Sequence, residues 1–383
     1  MALHFSASEF AKRRAASIAA MQAQGLDGLL MFQQESMYWL TGYDTFGFCF
    51  FQCLYLGADG KLALITRAPD LRQAQHTSNI EDIRIWTDRA DANPAEQLRD
   101  MLDSLGARGK KLGLETQSYG LSYALGKKVE AALSGFCELQ EADHLINLLR
   151  VVKSEAELAY VREAGRLGDL ALIAGVEKTH AGADEGEILA AQHNVIFAGG
   201  GDYPANEFII GSGRDALLCR YKSGRRKLDA QDQLTLEFAG VYRHYHAALM
   251  RTLIIGTPND YHKRMDEACR AALAAVEEKL TPGNLAGDVF DAHARVMDQH
   301  GMKDHRLNAC GYSLGAKFTP SWMDYPMFYH GNPVAIVKGQ VFFAHMILMD
   351  SESSNAFCLG RTYIVTDNKP EPLSNYPLEM IIR

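Results

Sequence analysis

The stretch LEFAGVYRHYHAALMRT, from Leu236 to Thr252, constrains this chain more than any other. It reads as two strands joined by a tight turn. Side chains alternate between faces along a strand, so Glu237 and Ala239 share one face of the first. His246, Ala248 and Met250 share a face of the second, with Tyr245 and Arg251 on the other. A conventionally folded hairpin then brings Glu237 and His246 onto one concave surface. An ordinary polar mixture on a solvated sheet face fits the same alternation, so the hairpin marks a surface without fixing its chemistry.

Around it the chain changes character once. Up to about residue 148, helical and strand patterns alternate: a helix from Ala7 to about Gln24, a strand at DGLLMF, and a hairpin at CFFQCLYLGADGKLALITR turning at Asp59-Gly60. EDIRIWTD and KKLGLETQ are further strands, and NPAEQLRDMLDSLG is a helix with Asn93 as N-cap and Pro94 at its first position. This predicts an α/β domain over residues 1–148. From residue 149 to 383 a second domain is expected. Ser154 and Glu157 form a capping-box pattern that opens a long helix. Strands, then helices, then the strands QVFFAHMILMD and FCLGRTYIVTD give an α+β domain whose helices cover one face of an antiparallel sheet.

The bulk properties exclude several functions. A chain of 383 residues with net charge −8 is a poor general ligand for nucleic acid or anionic membrane. No run of about eighteen apolar residues predicts a membrane span, and the start lacks a signal-peptide pattern. Seven cysteines, an odd number scattered singly, suit free thiols in a reducing cytoplasm. FAGGGDYP is a glycine turn without the pattern of a phosphate cradle.

The hairpin, together with VVKSEAELAYVREAG, FIIGSGRDALLCRY, CGYSLG and LGRTYIVTDNKPEPLS, resembles the creatinase/prolidase/methionine-aminopeptidase superfamily over nearly the whole chain. The resemblance implies a pita-bread catalytic domain behind a smaller creatinase-type domain. Metallopeptidases of that superfamily bind two metal ions through two aspartates, a histidine and two glutamates. Here the matching positions carry Glu237, Ala248, Tyr312 and His345, with Arg361 taken for the last. Divalent metals need several well-placed oxygen or nitrogen ligands, so no catalytic metal and no other cofactor is expected. Creatinase, a metal-free member, places substrate-binding glutamates where this chain has Met250 and His345, and a proton-shuttling histidine at Arg220. The pattern of Glu237, the Tyr245-His246 pair, Arg251-Thr252, GYSLG and AHMILMD is similar to the ectoine hydrolase subgroup, which opens a cyclic amidine.

The residue chemistry fits that implication independently. A carboxylate such as Glu237 pairs with an amidinium and can act as general base for water. His246 or His345 can supply a proton to the departing nitrogen, and Tyr312 can donate to a developing hydroxyl. Arg220 or Arg361 can clamp a substrate carboxylate. Each also has a structural reading: His345 as a core histidine, Tyr312 as packing, Arg361 as an ion-pair partner. The resemblance further implies a homodimer in which Phe46, Phe48 or Gln52 of one subunit touches its partner's substrate. The expected activity is metal-independent hydrolysis of a small zwitterionic cyclic amidine. Alternatives are a guanidino-acid hydrolase, an Xaa-Pro-type metallopeptidase, and an inactive binding module of the same fold.

Overall fold

The computed structural model describes residues 3–383 and divides into two compact units after Arg150. In the first unit a six-stranded sheet has the order β4-β3-β2-β1-β5-β6, from β1 Gly28–Met31, β2 Cys53–Gly57, β3 Leu62–Arg67, β4 Asp82–Trp86, β5 Lys111–Leu114 and β6 Glu138–Glu141. The β1–β2 and β2–β3 pairs are antiparallel; the pairs β3–β4, β1–β5 and β5–β6 are parallel. Alternation along β1 splits the core in two. Leu30 packs with helices α4 (Pro94–Ser104) and α5 (Tyr123–Leu133). Leu29 and Met31 pack with α1 (Ala7–Ala23), α2 (Gln34–Thr41), α3 (Leu71–Thr77) and α6 (Asp143–Val151) on the opposite face. Pro94 does open α4, but the Asn93 side chain makes no capping hydrogen bond.

The second unit is built on antiparallel pairs in the order β11-β10-β12-β13-β9-β8-β7. Its strands are β7 Ile209–Ser212, β8 Asp232–Tyr242, β9 Tyr245–Ile255, β10 Gly311–Ser313, β11 Asp324–Met327, β12 Val341–Asp350 and β13 Asn355–Ile364. Four helices accompany them: α7 Glu155–Lys178, α8 Glu185–Ala198, α9 Asp260–Lys279 and α10 Ala286–Gln299. The α7 capping box forms as the Ser154/Glu157 spacing predicts. Helices α9 and α10 bury one face of β12 and β13 in an apolar cluster that includes Ala344, Met346, Leu359 and Tyr363. That leaves the opposite face of these strands for other work.

The β8–β9 hairpin is the long ladder of this unit, pairing Asp232 with Ile255 through to Tyr242 with Tyr245. Its turn residues Arg243 and His244 both have positive φ, at 51° and 64°. This is the twist that a two-residue hairpin loop requires, adopted here without glycine. The glycine appears further down, where α7 crosses the sheet. A Cβ on Gly240 would lie 1.9 Å from the Ala164 carbonyl oxygen and 2.3 Å from the Gly168 nitrogen. Backbone meets backbone at that point, so the hairpin is pinned against α7.

Candidate active site

Strand register assembles the site. Glu237 on β8 pairs with Met250 on β9, Met250 with Gly360 on β13, and Gly360 with His345 on β12. Antiparallel partners point to the same side of a sheet, so these four positions form a row across it. Ala239 with Ala248, and Val241 with His246, extend the same face along the hairpin. Tyr312 on β10 pairs with Phe343, two residues before His345, and its ring centroid lies 5.6 Å from that of His345. Glu237, Tyr312, His345 and His246 therefore share one face; hairpin alternation predicts this for Glu237 and His246.

Glu237 is its electrostatic centre. Burial penalises the carboxylate and drives its pKa up to about 7, while the charge of Arg220 and a hydrogen bond from Tyr312 partly oppose this. The Tyr312 hydroxyl donates to Glu237 Oε1 at 3.3 Å. Trp322, 1% exposed, donates from Nε1 to the same hydroxyl oxygen at 2.9 Å. Burial and the adjacent Glu237 hold the phenol well above its usual range, so it stays protonated. Arg220 is exposed on the segment after β7, its Nη1 bonded to the Cys219 carbonyl. Its charge acts on Glu237, Tyr312 and His345 together.

Both histidines are neutral at ordinary pH. Burial lowers His246 to about 3 and His345 to about 4. His246 Nε2 accepts from the backbone N–H of Ala205 at 3.0 Å, which places its proton on Nδ1. Neither Nδ1 has a hydrogen-bond partner among the described residues. A low-dielectric site disfavours the charged ring, so these imidazoles meet a substrate in their neutral form, while burial raises Glu237 toward neutrality.

Arg361 is a correction to the sequence expectation. It lies opposite Ala344, one residue out of the active row, and so faces the helices. There Nη2 bonds Glu277 Oε1 at 2.7 Å and Nε bonds the Tyr363 hydroxyl at 3.2 Å. It is a structural ion-pair partner, and Gly360 occupies the row beside His345. In the first unit, Gln52 is 1% exposed, with Nε2 donating to Gln34 Oε1 and Oε1 accepting from Tyr43. Phe48 is buried as well, and Phe46, 71% exposed, packs edge-on against it. Of these three, only Phe46 presents its side chain to the exterior.

Two contributors were missed in the sequence. Trp322 sits in an irregular segment with no periodicity to flag it, and its backbone N–H bonds Asn206 Oδ1 at 3.1 Å. Ala205 and Asn206 follow directly on the glycine turn. That loop also walls a separate surface cavity of about 480 Å³, lined on its other sides by His193, Phe208, Tyr221 and Arg225.

The family metal centre does not fit the residues at its positions. Glu237, Ala248, Tyr312 and His345, with Gly360 beside His345, offer one carboxylate, a methyl group, a phenol, an imidazole and a bare glycine. Among the described residues no group of three or more His, Cys, Asp or Glu is placed to hold an ion. Two divalent cations would find a single carboxylate, Glu237, to balance their charge.

Comparison with known proteins places this geometry. The model of metallopeptidase family M24 matches residues 159–367, and that of the creatinase/prolidase N-terminal domain matches residues 13–152. The ectoine hydrolase of Halomonas elongata is 25% identical over 406 residues, covering 100% of this chain and 99% of its own. A Xaa-Pro dipeptidase of Pyrococcus horikoshii is 24% identical over 303 residues, covering 78% of this chain and 80% of its own. The solved prolidase of Thermococcus sibiricus superposes with a TM-score of 0.88 at 20% identity, over 99% of this chain and 100% of that one, a likeness of fold. The chain belongs to metallopeptidase family M24, as a creatinase-type N-terminal domain followed by a pita-bread domain.

Proposed function

We propose that this chain is a metal-independent hydrolase of non-peptide C–N bonds that opens a small cyclic amidine amino acid of the ectoine type. The observation that carries the reading is Glu237: a buried carboxyl raised to about 7 and held by Tyr312, at a position where the family places a metal ligand. The 25% identical ectoine hydrolase supports the substrate class.

The chemistry follows from the residues. An amidinium beside Glu237 replaces the solvation that burial removed, and the carboxylate orients it through N–H···O bonds. Glu237 takes one proton from water as the oxygen bonds to the carbon between the two nitrogens, giving a neutral hydroxy-diamine. The same proton then passes to one ring nitrogen, whose C–N bond breaks. The hydroxyl becomes the amide carbonyl and its proton ends on the freed amine as ammonium, so charge and atoms balance. Arg220, exposed and charged at this site, pairs with the substrate carboxylate. The neutral imidazoles of His246 and His345 offer N–H or N: contacts to the intermediate. The reading includes a cytoplasmic homodimer in which the partner's first domain caps the site, with Phe46 the residue available for that contact.

The test is a proton NMR time course of ectoine with the purified protein in excess EDTA. Conversion to an acetylated diaminobutyrate, lost in Glu237→Gln, is the expected result. No conversion in EDTA, with cleavage of an Xaa-Pro dipeptide after manganese is added, would establish the metallopeptidase reading that the 24% identical dipeptidase favours. Urea release from creatine would establish the guanidino-acid alternative.

A further inference from the structure

The Trp322–Tyr312–Glu237 contacts have a direction that hydrogen-bond inventory alone fixes. An indole N–H can only donate, so the 2.9 Å contact from Trp322 Nε1 consumes a lone pair of the Tyr312 oxygen. The phenolic proton must then point elsewhere, and the acceptor within reach is Glu237 Oε1 at 3.3 Å. The Glu237 carboxyl makes no other hydrogen bond among the described residues, so Oε2 is left for substrate or water.

We propose that Trp322 is a positioning residue that sets the direction of the Tyr312 hydroxyl, reserving Glu237 Oε2 as the reacting oxygen. The assignment rests on the hydrolase reading for its catalytic consequence, but not for its geometry. Trp322 is itself fixed: its backbone N–H is held by Asn206, and its ring lies 6.2 Å from that of His246. When Glu237 takes a proton from water on Oε2, Oε1 continues to accept from the Tyr312 hydroxyl, so the phenol keeps its one donation and its one acceptance from Trp322. Throughout that transfer Trp322 keeps the phenol oxygen in place.

The groups that influence Glu237 come from several elements. They are Tyr312 on β10, Arg220 and Cys219 after β7, and Cys358 on β13, with His345 on β12 against the Tyr312 ring. Trp322 reaches Glu237 only through Tyr312. A role in positioning therefore predicts a coupled effect, whereas a role in packing predicts an independent one.

The experiment needs no turnover. In protein labelled with ¹³C at glutamate carboxyls, the Glu237 resonance, assigned by its absence in Glu237→Gln, is titrated from pH 5 to 9. Tyr312→Phe and Trp322→Phe are each expected to move its midpoint up by about one pH unit, the size of one hydrogen bond to a carboxylate. The double variant is expected to move no further than Tyr312→Phe alone. An unmoved midpoint in Trp322→Phe, or a full additional shift in the double variant, overturns the proposal. If Trp322→Phe does not fold, the wild type still decides. The protein has three tryptophans, and the indole N–H resonance of Trp322 must follow the Glu237 titration; one that stays flat overturns the assignment. Failure of ectoine turnover with the coupling intact would instead sink only the substrate reading.

Discussion

Replacing Glu237 by glutamine removes a carboxyl that the fold holds at a cost, and the cost has a defined pH window. An ordinary glutamate titrates at 4.5, and this one at about 7 because burial disfavours its charge. Between those values the unfolded chain has released the proton while the folded chain keeps it. Wild-type stability must therefore fall as pH rises from 4.5 to 7 and level off above. At 1.36 kcal/mol per pH unit the penalty reaches about 3 kcal/mol. Glutamine fits the same space, can accept from Tyr312, and has no proton to lose. Measured by urea denaturation, Glu237→Gln should gain about 2–3 kcal/mol over wild type between pH 5 and pH 8, while losing turnover. Every other titrating group is common to both proteins and cancels in the difference. Stability curves that run parallel across that range would refute the reasoning, because they would mean that Glu237 ionises as an ordinary surface carboxyl.

Other perturbations read other parts of the structure. Arg220→Gln should raise KM about 10- to 100-fold, the loss of one charged clamp, and shift the acid limb of kcat/KM upward because the Arg220 charge holds the Glu237 pKa down. A limb that stays put would place Arg220 outside the site. Gly240→Ala should cost about 3 kcal/mol in thermal or urea melts, since its Cβ would meet two backbone atoms of α7 that cannot yield. His293 on α10 is held neutral by burial, with a pKa near 3, so it destabilises the fold as pH falls below 6.5, where the unfolded chain takes up the proton. His293→Leu should therefore lose about 2–3 kcal/mol less than wild type between pH 7 and 4.5; equal losses would show that the ring protonates freely.

Period-two alternation made the hairpin legible because each face of β8 and β9 has one environment over its whole length. The same rule put Glu237, Ala248 and His246 together before any coordinates. The match to the family positions failed by one residue at β13, where the strand carries Gly360 and Arg361 side by side and a single step exchanges the two faces. Register there is set by pairing with β9 and β12, a long-range property that local pattern does not encode. Trp322 was invisible for a related reason. It reaches Tyr312 from an irregular segment, and its value lies in one N–H rather than in any spacing. The charge state of the histidines was equally hidden, since it depends on how completely the neighbours exclude water. Capping signals, by contrast, act within four residues, and Ser154 with Glu157 formed the box they spell.

A carboxyl poised at about 7 also makes the site selective for the charge of what it binds. In the free protein Glu237 is about half protonated at neutral pH, an inefficient base. An amidinium brought beside it supplies an opposite charge at close range, which favours the carboxylate and lowers its pKa, commonly by one unit or more. Binding a cationic substrate thus converts the carboxyl into its reactive form. The acid limb of kcat/KM reports the free protein and that of kcat reports the complex. The limb of kcat should therefore lie about one unit below that of kcat/KM for an amidinium substrate. A neutral isostere of similar size, which brings no charge to Oε2, should inhibit more tightly at low pH, when Glu237 is protonated. Coincident limbs in the two profiles, or an isostere whose inhibition ignores pH, would mean that Glu237 does not meet the charged end of the substrate.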